Sequence, residues 1–566
     1  MRFSFKRSVV AAVFVMLGST SPHASNTLQS SGATGGKPSA MAAANPHPNP
    51  PSHAGEGTGG DPTVSVPPVR VGQISLIAGK VEFHGPGEAQ WSAAAINDPV
   101  ATGVSLRTDP QTRGEIRIGP DTIDLAEGTE ITVIKLDPLI AEIAVREGRI
   151  DLDIRGFEPG ESVEIDMPRG GVWPLERGRY DIDIGGGDRP LRITAFAGNA
   201  RFASNGADLP IASGYQLVLS PAGPMAAQIE SASDNDFVKW CKGRAIDDAR
   251  LAAPYFMSRE ITGYAALDDA GDWQANDKYG EVWVPKALPA GWAPYRNGHW
   301  RWLSPWGWSW VDDEPWGFAT MHYGRWIQAD GRWSWSPGKL TANPVWAPAV
   351  VAFLGTRGVG FSYADGPGPA IAWFSLAPGE VYWPSYTRDL AYIRAINRGN
   401  VADLNVIRIA ADGEPPAEIS NAHFANRAFA SAVPRPVFVS GEPIAAALLT
   451  IPDERLLDAP AIMGSPDIGP PPPAPVRVAG AATIREHPPA APVAIKLTKA
   501  TAWDSIVRAA EIRSRHFQET ARLRFVHLRG LSSAENIRIR HSIVLRVARA
   551  DHAGVISEMH KRMLRR

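Results

Sequence analysis

From about Val71 to Ser220 apolar and polar residues alternate with a period of two, as in Ile116-Arg117-Ile118, Ile150-Asp151-Leu152-Asp153-Ile154, Val163-Glu164-Ile165-Asp166 and Tyr180-Asp181-Ile182-Asp183-Ile184. Alternation of this kind puts one face of a strand on a core and the other in water. Asp151, Asp153, Asp181 and Asp183 are therefore expected on an outward, solvated face. Calcium could bind such a row, but a solvated strand face explains it more simply. Turn signals recur between the runs, at Gly119-Pro120-Asp121, Glu127-Gly128, Glu147-Gly148, Pro159-Gly160, Gly185-Gly186-Gly187 and Gly198-Asn199. Many short strands with regular turns predict a sandwich or roll over residues 71–222.

The period then changes. Residues 233–260 read as a connector with a helical start, Asp236-Phe237-Val238-Lys239-Trp240-Cys241, whose apolar residues have helical spacing. Residues 261–445 return to short strands, now rich in tryptophan. A Pro-rich linker is expected over 446–495, with Pro470-Pro471-Pro472-Pro473 at its centre. The tail, 496–566, is expected to be helical, with a capping box at Ser532 and Glu535 and with Val544, Val547 and Met559 on one side. At the other end, Arg2, Lys6 and Arg7 precede an apolar run from Val9 to Leu17 and then small residues, a secretory signal peptide pattern over 1–24. Residues 25–70 carry few large apolar side chains and are expected to be a disordered linker. The chain is thus mainly β: a β domain, a Trp-rich antiparallel β domain, disordered Pro-rich linkers and a basic helical tail. Its expected location is the periplasm, with the extracellular space as the other destination of an exported protein.

Composition narrows the chemistry. The 566 residues include 57 basic and 59 acidic side chains, 54 Gly, 50 Pro, 19 Trp and a single cysteine, Cys241. One cysteine rules out an internal disulfide and a thiolate zinc site. Cys241 has only Lys239 and Lys242 as electropositive neighbours and is expected to be packed rather than reactive. From Lys496 to Arg566 there are 16 basic residues against 6 acidic. Outside the cytoplasm such a tail would contact anionic surfaces, and nucleic acid is not an expected partner.

Fifteen of the 19 tryptophans lie between Trp273 and Trp383. Within Trp300-Arg301-Trp302, Trp308-Ser309-Trp310 and Trp333-Ser334-Trp335 the indoles fall two residues apart, so on hairpin strands they line one face. Two readings follow. Facing inward, the rings build a core where aliphatic residues are scarce. Facing outward, Trp300, Trp302, Trp308, Trp310, Trp333 and Trp335, with His299 and His322, would form a platform that stacks on sugar rings. The inward reading is favoured, because a long row of exposed indoles invites aggregation. Asp312-Asp313-Glu314 before Pro315 reads as a turn rather than a glycosidase carboxylate pair. Gly360-Phe361-Ser362-Tyr363-Ala364 lacks the second glycine of a nucleophile elbow, and no His-Glu-x-x-His occurs. No enzyme and no cofactor are expected.

Gly114-Glu115-Ile116-Arg117-Ile118-Gly119-Pro120-Asp121, Ala144-Val145-Arg146-Glu147-Gly148-Arg149-Ile150, Met167-Pro168-Arg169-Gly170-Gly171-Val172, Gly178-Arg179-Tyr180 and Ile193-Thr194-Ala195-Phe196-Ala197-Gly198-Asn199-Ala200, in that order, resemble FecR-like domains. The resemblance implies a periplasmic β domain that, in signalling members, relays receptor state to a sigma factor through a cytoplasmic segment. Only Met1 to Ser8 precede the apolar run here, which argues against that relay. Gly298-His299-Trp300, Trp306-Gly307-Trp308 and His322-Tyr323-Gly324-Arg325-Trp326, with Trp373-Phe374-Ser375-Leu376-Ala377-Pro378-Gly379-Glu380, resemble the Trp-rich domain of unknown function found after FecR-like domains in secreted proteobacterial proteins. That resemblance implies no catalytic residue. The expected function is an exported, noncatalytic envelope scaffold or a binding or sensory protein, its partners envelope polymers or another envelope protein. The alternative is a glycan-binding protein or cell-wall enzyme that uses surface tryptophans.

Overall fold

A computed structural model describes residues 67–471, apart from 205–206, 222–225, 357, 359, 361–368 and 411–414. The signal peptide, nearly all of the 25–70 linker, the later part of the Pro-rich linker and the basic tail lie outside the described residues.

The period-two runs form two nine-stranded sheets. The first contains Gly72–Ala78, Pro99–Val100, Arg113–Ile118, Asp121–Leu125, Arg149–Ile154, Gly178–Asp183, Leu191–Ala197, Tyr215–Leu219 and Ala227–Ser231. The second includes Val81–His84, Glu130–Leu136, Ile140–Glu147, Ser162–Met167 and Ala200–Ser204. Neighbours are antiparallel, save that Ser162–Met167 runs parallel to Ile140–Glu147. Ile116, Ile150, Leu152 and Ile182 of the first sheet share one core with Phe83, Ile143, Ile165 and Phe202 of the second. The expectation of a mainly β chain holds, and the first sheet extends past residue 222 by the strand Ala227–Ser231.

The aspartates depart from expectation. Asp151 and Asp181 are 0% and 2% exposed, and Asp153 and Asp183 are half-buried. They do point away from the inter-sheet core, but the connector covers that face. Its helix, Asp236–Arg244, begins with Asn235 accepting from the amides of Phe237 and Val238 and buries Phe237, Val238 and Cys241. Alternation reports which residues share a face; it does not report what later segment lies over it.

The tryptophan block builds a four-stranded sheet in the order Gly271–Asn276, Gly280–Pro285, Arg332–Ser336, Arg325–Ala329, and a hairpin, Gly298–Leu303 with Gly307–Asp312. The hairpin turns fall at the expected Leu303-Ser304-Pro305 and Asp330-Gly331 punctuation. A further sheet runs Ser431–Pro434, Ala370–Ser375, Val351–Leu354, Ala461–Ile462. Its last strand falls inside the stretch expected to be a linker from 446. Leu456, Ile462 and Met463 are buried there, and Leu449 N donates to Ala432 O, so packing continues well past 445. Scattered apolar residues among prolines hide this in the sequence.

The two halves are joined by buried polar contacts. Asn97 Nδ2 donates to Asp312 O and Glu314 O at 2.8 and 2.7 Å, and Arg301 Nε meets the fully buried Asp98 carboxylate at 2.8 Å. Thr262 Oγ1 bonds Val71 O and Gly119 N, both at 2.9 Å, and Trp346 N donates to Val69 O. Order therefore begins before residue 71. The described residues all fall in one compact unit.

Candidate functional site

Cross-strand register turns the tryptophan words into rows. Trp273, Trp283, Trp335 and Trp326 stand opposite one another across four strands, and Trp300 faces Trp310 as Trp302 faces Trp308. Neighbouring rings meet edge to face: Trp300 and Trp310 at 5.4 Å and 71°, Trp300 and Trp373 at 5.3 Å and 82°, Trp302 and Trp308 at 5.5 Å and 85°. This is the geometry the ring quadrupole prefers.

Of the platform candidates, Trp300, Trp308, Trp310, Trp333 and Trp335 are buried and Trp302 is half-buried. Their N–H groups are mostly used within the fold. Trp310 Nε1 donates to Asp312 Oδ2, Trp333 Nε1 to Trp292 O, Trp335 Nε1 to Tyr323 O and Trp308 Nε1 to Gly469 O, all within 2.8–3.0 Å. His322, 1% exposed, lies flat on Trp346 with Nδ1 2.7 Å from Ala347 O, and burial pushes its imidazole down to about 4. Burial and then the nearby Arg301 push half-buried His299 down to about 4 as well. Both are neutral at pH 7. Asp312, buried and raised to about 7 by desolvation, is taken up by Trp310 and by Glu314 N. Buried Arg325 spends its donors on Glu380 O, Gly324 O and Asn397 Oδ1. The cavity bounded by Trp300, Trp306 and Trp308 measures about 20 Å³, room for one water.

A larger space lies elsewhere. A cleft of about 880 Å³ opens at the strand ends of the first half, lined by Arg113, Arg146, Arg149, Arg169 and Arg189 against Glu127, Glu147 and Asp183. Gly185, Gly186 and Gly187, all at positive φ, shape one rim. Arg149 forks onto Asp181 at 2.7 and 2.8 Å, Arg146 lies 3.5 Å from Glu130 and Arg189 3.8 Å from Asp183. Arg169 donates to Ser220 O, and Arg113 lies 4.9 Å over the Trp240 ring. Neither has a carboxylate partner among the described residues. Burial lowers the Arg169 pKa, since no anion offsets its desolvation. These arginines are spread over 77 positions of sequence with no common motif; their one sequence signal is that each adjoins a turn.

Residues 264–380 match DUF6600, a family of unknown function. No curated protein matches the chain. Among solved structures, two crystal structures of a Parabacteroides distasonis ATCC 8503 protein assigned as an anti-sigma factor are similar at 10% and 11% identity, each with a TM-score of 0.22. The similarity covers 25% of this chain, which spans 65% and 64% of those chains, just under two thirds of their length. No helix among the described residues is long and apolar enough to cross a membrane.

Proposed function

We propose that this chain is an exported, noncatalytic binding protein of the cell envelope, and that its ligand is an anionic envelope polymer held in the arginine-lined cleft. The signal-peptide pattern and the FecR-like resemblance of residues 71–222 support the export and the compartment. The observation that carries the reading is a contrast in how polar groups are used. In the tryptophan block buried His322, Asp312 and Arg325 are spent on the fold itself. In the cleft, Arg113 and Arg169 have guanidinium faces with no carboxylate. Planar guanidinium is suited to carboxylate and phosphate groups, and an open, turn-rimmed cleft suits a chain-like ligand.

The test is co-sedimentation of the full chain with purified peptidoglycan, and calorimetric titration with soluble anionic and neutral oligosaccharides. Binding to anionic chains that weakens with salt is expected. Arg113→Ala with Arg169→Ala should weaken it at least tenfold and Trp302→Ala should leave it unchanged. Binding that survives the arginine pair but is lost with Trp302 would transfer the function to the glycan-stacking alternative. No binding to any of these polymers would overturn the proposal.

A further inference from the structure

The covered face of the first sheet carries an acidic row. Glu115, Asp124, Asp151 and Asp181 stand directly opposite one another on four adjacent strands. All four are 0–2% exposed, so water cannot screen their mutual repulsion. Flanking them on the same strands are Asp153 and Asp183. Facing these six carboxyls are five guanidiniums: Arg149 on Asp181, Arg179 at 2.7 Å from Asp151 and 3.8 Å from Asp124, Arg117 on Glu115, Arg244 of the connector helix on Glu115 at 2.8 Å, and Arg189 3.8 Å from Asp183. Glu115 takes two of the five and Asp183 one, so among the described residues Arg149 and Arg179 alone serve Asp124, Asp151, Asp153 and Asp181, and two carboxyls are in surplus. Asp124 Oδ1 and Asp151 Oδ2 have no hydrogen-bond partner among the described residues, and the Cys241 sulfur lies within 4.8 Å of both carboxylates.

The helix above is held by little apolar surface. Phe237, Val238 and Cys241 are its buried residues. Beside the Arg244–Glu115 pair, its contacts include cations on rings: Arg149 over Phe237, Arg113 and Arg244 over Trp240, Lys242 over Phe196. Lys239 and Lys242 pair outward with Asp236 and Asp234.

We propose that the connector helix Asp236–Arg244 is a proton-dependent latch: it closes over the acidic row while the surplus carboxyls are neutral, and loosens when they ionise. Desolvation raises Asp124 to about 7 and Asp151 to about 8, against their neighbouring guanidiniums. Glu115 stays low because Arg117, Ser75 and Arg244 outweigh its burial. With the helix detached, these carboxyls meet water and titrate near their ordinary value of about 4. Protons therefore favour the closed form. Opening should grow by up to about tenfold per pH unit for each of the two groups from about pH 4 to 7 or 8, and level off above.

Because Cys241 is the only cysteine in the chain, thiol labelling reads the latch directly. Below its pKa an exposed thiol labels about tenfold faster per pH unit. The full chain is expected to label more steeply than that between pH 5 and 7. Asp124→Asn with Asp151→Asn mimics the protonated pair; it should follow the thiol slope alone and label at least tenfold more slowly than the parent chain at pH 7.5. Identical pH profiles for the two proteins would overturn the latch. Protection at pH 6 that EDTA abolishes would also overturn it and assign the row to a bound cation. If the double variant does not fold, hydrogen exchange of the 236–244 amides in the parent chain decides: opening that is independent of pH, after correction for intrinsic exchange, contradicts the proposal.

Discussion

The two halves use one device with opposite chemistry. Each lays a row of four like side chains across four neighbouring strands: Glu115, Asp124, Asp151 and Asp181 in the first, Trp273, Trp283, Trp335 and Trp326 in the second. Indoles attract where edge meets face, as Trp273 meets Trp335 within the row and Trp300 meets Trp310 across the hairpin, and a single N–H is easily satisfied inside the fold, as Trp283 Nε1 is by Leu267 O and Trp326 Nε1 by Thr320 O. Such a row is complete without a ligand. Carboxyls in register repel, and need guanidiniums or protons before they can be buried. A period-two repeat fixes a row, while the chemistry of the repeated side chain decides whether that row is inert or responsive.

The sharpest way to break the comparison is to remove a ring from the middle of the aromatic row. Trp335→Ala should lower stability by about 3–5 kcal/mol in denaturant unfolding, with little dependence on pH, since it opens a cavity and orphans Tyr323 O. A loss below about 1 kcal/mol would mean that the row does not carry the core. Next, Arg179→Ala leaves Asp151 and its neighbours without their shared cation. About 3 kcal/mol should be lost at pH 8, and less at pH 5, where Asp124 and Asp151 hold protons in either case. The sign follows from linkage: an acid whose folded pKa is raised binds its proton more tightly when folded, so its contribution falls as pH rises from about 4 to 8. An equal loss at both values would show that the acidic row is not titrating. The smallest effect belongs to half-buried Trp302, whose ring meets only one indole edge to face. Trp302→Ala should cost about 1 kcal/mol, and a loss as large as that of Trp335 would erase the distinction between rim and row.

How far the sequence foretold this differs between the rows. Trp300-Arg301-Trp302 and Trp333-Ser334-Trp335 carry both their spacing and their punctuation in adjacent residues, so hairpins and shared faces were legible. The inward aim was legible too, because fifteen exposed indoles make an unstable surface. Asp151 and Asp181 were correctly separated from Ile150, Leu152 and Ile182, yet misread as solvated, because the cover comes from the helix Asp236–Arg244, far downstream in the chain. The cleft was invisible for a related reason: Arg113, Arg169 and Arg189 meet only once three separate turns reach the same end of the sheets. The strand Ala461–Ile462 was lost among prolines, since two residues are too short to show a period.

Whether the tryptophan block is spent on its own core can be read from solvent exchange of the indole N–H groups in the full chain with ¹⁵N-labelled tryptophan. Trp283, Trp310, Trp326, Trp335 and Trp373 donate to protein oxygens while fully or nearly fully buried. The account predicts that these five resonances exchange slowly, and that adding wall polymers leaves them in place. Rapid exchange of most of the five, or polymer-induced shifts concentrated on them, would contradict it.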